Sequence, residues 1–403
     1  MLPEKIDSQV EFSNISILPN HSIQDVTKHI SEVTIEKMKV LVKDNHERMS
    51  TYSNKNAKVL SEGFFYPNEY CIALSNAAQN TRLEFLKKQG AFFHGYLSPK
   101  YFSMKTTQDP ALVTGKIPTQ FWLQEGIKPS EALKSVHKGV SLIGCGEACD
   151  IAYYEAILSY LGEEKFNALL AKDQAVPFCI SHQKILEPMS VLFLKNAPIS
   201  GINDIKKGQL LGVYNASSYS MKHPFGEDQG LNLICIDDKD GDKKFIGLGT
   251  SPEGLTYKEI VDQLFKAYNK TPIKCVQILS KDFVQKELNY RVNAIMKDIL
   301  KYKDDYEMAS RIIATIQLGL DRSLTSNEIS SFIDNPIECA KLYFQAYNKI
   351  QEKKVLSFEE FQEQDGGAIN QVFELDVNRL KLLSELSIAE GQEILKVWKN
   401  QKH

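Results

Sequence analysis

One thiol in the sequence has neighbours suited to chemistry. Cys145 stands between Gly144 and Gly146, at the expected start of a helix over 147–161. A thiol there meets unpaired backbone N–H groups and the positive end of the helix dipole, and both favour the thiolate. The flanking glycines let a substrate backbone approach closely. The plainer alternative is a buried helix-start cysteine, because free cysteine is among the most buried residue types. A nucleophile also needs a base. His223 lies in YSMKHPFGEDQGLN, a loop of turn formers directly before a strand, and Glu227 and Asp228 follow in the same loop. Either acid could orient or replace the imidazole. His182, in CISHQKILEP, competes for the role. Cys145 and Cys149 form C-x-x-x-C on one helix face, but no further ligands follow at the spacing of a metal site. Phosphate loops, G-x-G-x-x-G and H-E-x-x-H are all absent, so no metal and no cofactor is expected.

These residues must be held by a helix and strands. In GCGEACDIAYYEAILSYLG (144–162), Ile151, Tyr154, Leu158 and Leu161 recur at three- and four-residue steps, the apolar face of a buried helix. Ahead of it, Pro129-Ser130 opens a helix that stops at Gly139. Four short apolar runs follow, at 190–196, 209–215, 231–237 and 243–250, punctuated by Gly, Asn and Asp. Asp240-Gly241 supplies a tight hairpin turn between the last two. A helix over 256–268 comes next. The middle of the chain is therefore a long helix packed on an antiparallel sheet, an α+β arrangement.

The flanks read differently. Val33–Met49 mixes charges with a thin apolar stripe, the pattern of an exposed helix. Beyond 285 the chain looks helical throughout, with capping boxes at Thr325–Glu328, Ser357–Glu360 and Ser387–Glu390. Three domains are expected: a polar, mostly helical extension over 1–70, a catalytic domain over 71–285, and an all-helical domain over 286–403.

Composition narrows the function classes. The 403 residues are 43% apolar and 25% charged, ordinary for a globular chain. Lys plus Arg total 48 against 51 acids, a net charge of −3 that gives no reason to expect nucleic acid as a partner. No run of apolar residues reaches membrane-spanning length, and the first residues lack a signal-peptide pattern. Seven cysteines without regular spacing indicate reduced, buried thiols and a reducing cytoplasm, with signal-independent export left open.

Residues 128–170 resemble the core of bacterial spore-coat protein-glutamine gamma-glutamyltransferases. The matching pieces are Pro129-Ser130, Cys145, Tyr153-Tyr154 and Gly162–Asn167. Gly208–Asn215 is similar to that family's G-D-x-L-x-x-x-N strand, and Gly230-Leu231-Asn232 falls at its G-E-N strand start. In order and spacing the resemblance covers about 76–285. It departs at three places. Gly144 stands where the family has an acid before its cysteine, Leu231 aligns with its catalytic Glu, and FIGLG lacks its histidine.

The resemblance implies a papain/NlpC-like transglutaminase core with Cys145 as nucleophile. A protein glutamine would be the acyl donor and a lysine the acceptor, with water as acceptor giving deamidation. Gly144, Gly146 and Asn232 would bind substrate, and His223, Glu227 or Asp228 would replace the displaced base. Two other readings stay open: a papain-like cysteine protease, since nucleophilic cysteines of papain-like hydrolases also open a helix, and a degenerate binding module whose C-terminal helices contact a partner protein.

Overall fold

A computed structural model describes residues 22–53, 63–65, 97–106, 119–138, 140–181, 193–223, 228–237, 243–271, 306–320, 322–325, 327–329, 331 and 335–401. In chain order the first elements are α1 (Ile23–Ser53), β1 (Gly63–Phe65), β2 (Phe102–Thr106), β3 (Thr119–Leu123), α2 (Pro129–Ser135) and β4 (Val140–Leu142). Then come α3 (Cys145–Leu161), α4 (Glu163–Leu169), β5 (Cys179–Ser181), β6 (Leu194–Asn196), β7 (Leu210–Tyr214), α5 (Tyr219–Lys222) and β8 (Gly230–Asp237). The remainder are β9 (Lys244–Ile246), β10 (Leu255–Thr256), α6 (Tyr257–Asn269), α7 (Tyr306–Leu320), α8 (Pro336–Lys353), α9 (Phe358–Glu363), β11 (Ile369–Leu375), α10 (Val377–Glu385) and α11 (Ile388–Gln401).

The centre is a six-stranded antiparallel sheet in the order β10-β9-β8-β7-β11-β6. Strand alternation sorts its side chains into two layers. Leu210, Ile234 and Ile246 join the core around α3, whereas Leu211, Val213, Leu231, Leu233 and Phe245 join a second core with Ile260 and Leu264 of α6. A smaller sheet, β2-β3-β5, and the parallel pair β1-β4 complete the strands among the described residues.

The helix expected behind Cys145 is present and starts at the cysteine itself. It is buried on every side, not along one stripe: Cys145 through Leu158 are all buried. Small residues at Gly146, Ala148, Ala152 and Ala156 let neighbours approach, and Gly162, at φ 78°, ends the helix. Tyr153 and Tyr154 are buried with their hydroxyls donating to Gly208 O and Cys179 O, both at 3.0 Å. Each such ring contributes about 1.5–3 kcal/mol by burial, with its polar end satisfied.

The flanking regions differ from expectation. The first helix begins at Ile23, capped by reciprocal bonds between Ser22 and Asp25. It is not exposed: Val26, Ile30, Met38, Leu41 and Val42 enter the same core as α3. The 286–403 region is not all-helical either. Its strand β11 lies in the central sheet between β7 and β6, and Leu380, Leu383, Leu395 and Trp398 join the α3 core. Local pattern identifies a helix cap well but cannot say which distant strand a segment will pair with. The three capping boxes are formed: Thr325, Ser357 and Ser387 each pair with the glutamate three residues on. Helices α7 and α8 carry a small core of their own around Ile316, Leu324 and Cys339. The Asp240-Gly241 turn and residues 272–305, where the expected C-terminal helical region begins, lie outside the described residues. Among the described residues, no helix is long and apolar enough to cross a membrane.

Candidate active site

Strand β4 delivers the chain to Gly144, whose backbone is extended at φ −86°, ψ 178°, and Cys145 is the first residue of α3. The turn is set locally. Glu147 reaches back to accept the Gly144 N–H at 3.2 Å, and Gly144 O accepts from Ala148 N at 3.1 Å. Gly146 is buried inside this first turn. Cys145 is 8% exposed.

The sulfur faces β8, and one residue there engages it. The Asn232 backbone N–H donates to Cys145 Sγ at 3.4 Å and its Nδ2 donates at 3.2 Å. One turn along α3, the Cys149 thiol donates to Asn232 O at 3.7 Å. Two N–H dipoles therefore converge on the sulfur at the positive end of a helix, an arrangement suited to charge developing on that atom. Asn232 faces α3 because its neighbours Leu231 and Leu233 point into the second core. The strand residue next to the cysteine is thus the amide at 232 and not position 231, which the family pattern aligns with an acid. An asparagine amide donates and accepts hydrogen bonds but does not titrate.

The histidine expected to serve as base is elsewhere. His223 caps α5, its Nε2–H donates to Tyr268 O at 2.8 Å, and its ring stacks on Tyr219 at 4.6 Å. Both tyrosines belong to the second core, across the sheet from Cys145. The ring is 5% exposed, and burial lowers its pKa below the usual 6.5, opposed in part by the bond to Tyr268 O. Closeness in sequence to β8 did not translate into closeness to the sulfur, because the turn over 219–222 leads the chain behind the sheet. Asp228 precedes β8 at the hairpin end, with its N–H donating to the Tyr219 hydroxyl and its O accepting from Asn215 Nδ2. Its carboxylate makes no hydrogen bond to Cys145 Sγ. Glu227 and His182 lie outside the described residues.

Of the other cysteines, Cys149, Cys179, Cys235 and Cys339 are buried, while Cys71 and Cys275 lie outside the described residues. The residue that sequence reading missed is Gly212, the β7 partner of Asn232. A glycine inside the apolar run QLLGVYN signals close approach of something to the strand.

Comparison with solved structures finds a transglutaminase from Geobacillus stearothermophilus (without C-terminal extension). The match covers 64% of this chain and 89% of that one, at 14% sequence identity and a TM-score of 0.35. No protein-family model and no curated protein matches the chain.

Proposed function

We propose that Cys145 is the nucleophile of an acyl transfer on protein glutamine side chains. The observation that carries this reading is the pair of Asn232 N–H donors on a sulfur at the start of a buried helix. The thiolate attacks the carboxamide carbon, and the carbonyl electron pair moves to oxygen. Collapse breaks the C–N bond, and ammonia leaves with the proton taken from the thiol. The thioester then passes its acyl group to a lysine amine, forming an isopeptide bond and restoring the thiol, or to water, forming glutamate.

The base is assigned to Asp228, just ahead of β8, or to its sequence neighbour Glu227, with His223 in a packing role. Gly144, half-buried ahead of α3, leaves room for the donor backbone, whereas Gly146 is enclosed within the helix's first turn. Incubation with a dansyl-amine and a glutamine-containing protein tests the reading. Dansyl incorporation or ammonia release that disappears in Cys145→Ala supports it; neither product from the wild-type chain sinks it. Cleavage of the acceptor backbone in the same assay favours the protease instead.

One observation favours a different class. Among the described residues no carboxylate or imidazole hydrogen-bonds to Cys145, as expected of a transglutaminase-like scaffold kept for binding. Partner capture that survives Cys145→Ala, with no turnover by the wild type, supports that reading.

A further inference from the structure

Two turns along α3 from Cys145, a cavity of about 140 Å³ opens where α1 meets the central sheet and the start of α10, with Tyr153 on its wall. Its charged groups are Lys195 of β6, Lys206 and Lys207 ahead of β7, and a single acid, Glu374 of β11. The turn that carries the two adjacent lysines is fixed. Gln209 N–H donates to Lys206 O at 3.1 Å, and Gly208, at φ 84°, holds the left-handed conformation that a type II turn needs at its third position. The Gln209 side chain locks the turn: Oε1 accepts the Lys206 N–H at 2.8 Å and Nε2 donates to Glu374 Oε2 at 2.7 Å. A Cβ on Gly208 would lie 2.4 Å from Ser31 Oγ, so the turn packs on α1 and the Ser31 hydroxyl comes to the cavity with it. Lys195 Nζ meets Glu374 Oε1 at 3.1 Å, so the one acid on the wall is already matched. The lining is left with an excess of positive charge. Val377 and Asn378 close the wall at the start of α10, but Asp376 already caps that helix through the Arg379 N–H at 3.2 Å. The lysines, and not the helix end, supply the attraction.

We propose that this cavity binds a compact dianion of the phosphate class, independently of any chemistry at Cys145. A cavity of about 150 Å³ holds a six-carbon ring, so a tetrahedral oxyanion of five heavy atoms fits here. Lysine ammonium groups act on phosphate oxygens as point charges and need no fixed fork geometry. A phosphate monoester carries about −1.5 to −2 charges at pH 7, which complements the surplus cations; a carboxylate brings one charge and answers less of it. The Ser31 hydroxyl adds a neutral donor from α1. A bound anion then ties three separate segments together: the first helix, the lysine turn and the junction of β11 with α10. Free phosphate and the phosphoryl group of a small ester share this chemistry.

Calorimetric titration of the full chain with inorganic phosphate, at constant ionic strength in chloride, tests this without requiring turnover. Saturable binding is expected, weakened about tenfold in Lys206→Ala and further in the Lys206→Ala/Lys207→Ala double variant. Lys172→Ala, which removes an exposed lysine outside the cavity, should bind as the wild type does. Melting temperatures in chloride alone should match across these chains, so that lost binding is not lost folding. Glycerol phosphate separates the two sources: binding of both ligands assigns the phosphoryl group, and binding of the ion alone assigns free phosphate. Absence of saturable binding, a double variant that binds as the wild type does, or acetate bound as tightly as phosphate overturns the proposal. Iodoacetamide labelling of Cys145, followed by peptide mass spectrometry, places the anion. Phosphate should leave that rate unchanged, whereas protection of the sulfur would put the anion at the start of α3 and overturn the cavity as its site.

Discussion

At the scale of single residues, the proposed site centres on the sulfur and its two donors. Only one of those donors can be removed by substitution. Asn232→Ala deletes Nδ2 and keeps the backbone N–H, so the proposed acyl transfer should fall by about 10²-fold with the fold intact. An unchanged rate would show that the side-chain amide contributes nothing at the sulfur. His223 makes a separate prediction. Burial holds its folded pKa below the usual 6.5, so the imidazole is neutral in the fold while the unfolded chain takes up a proton. Its contribution is complete above the unfolded value and is lost as pH falls through the lowered folded one. Melting temperature should therefore drop on going from about pH 8 to pH 5. His223→Gln keeps an N–H donor for Tyr268 O without taking up a proton, so its melting temperature should fall less over that range. Parallel curves would remove His223 as a source of the acid sensitivity.

Elements decide where these residues meet. Helix α3 holds Cys145 because its first turn is fixed by Glu147 and its body is buried, so the cysteine has little freedom. Much of this was legible in the sequence: the helix, the strands near 210–214 and 230–237, and all three capping boxes depend on short-range pattern. The faces were not. Whether Leu231 or Asn232 meets the sulfur depends on strand register, and a one-residue shift exchanges them. The helical pair α7–α8 offers a test at this scale. A Cβ on Gly319 would lie 2.4 Å from the Ala346 backbone and Cβ, closer than real atoms pack. Gly319→Ala should force the two helices apart at a cost of about 1–3 kcal/mol. Hydrogen exchange should rise over 306–353 while labelling of Cys145 stays at the wild-type rate. Exchange unchanged over those helices would contradict the tight contact.

The whole molecule is more interlocked than three consecutive domains would be. Strand β11 closes the sheet between β7 and β6, and Lys165 Nζ donates to Ser384 O and Leu386 O at the end of α10. Gly391 packs against Leu169 so closely that an added Cβ would lie 2.9 Å from its Cδ2. A chain truncated after residue 285 loses β11 and exposes the Leu210 and Leu211 strand on one edge. It should lose the cooperative melting transition and aggregate. A soluble, cooperatively folding 1–285 fragment that still labels at Cys145 would show that the C-terminal region is dispensable to the core.

The sequence by itself determined the thiol, the glycines around it, the helix it opens and the short strands that follow. Each of these is written in neighbours a few residues apart, where helix dipole, capping and periodicity act. Only the tertiary structure decided that Asn232 meets the sulfur, that His223 turns to the opposite layer, and that a strand from near the C-terminus enters the central sheet. Those outcomes depend on register and on pairing between segments over a hundred residues apart. Local pattern is the same for either face of a strand, and burial against a particular partner is what chooses between them.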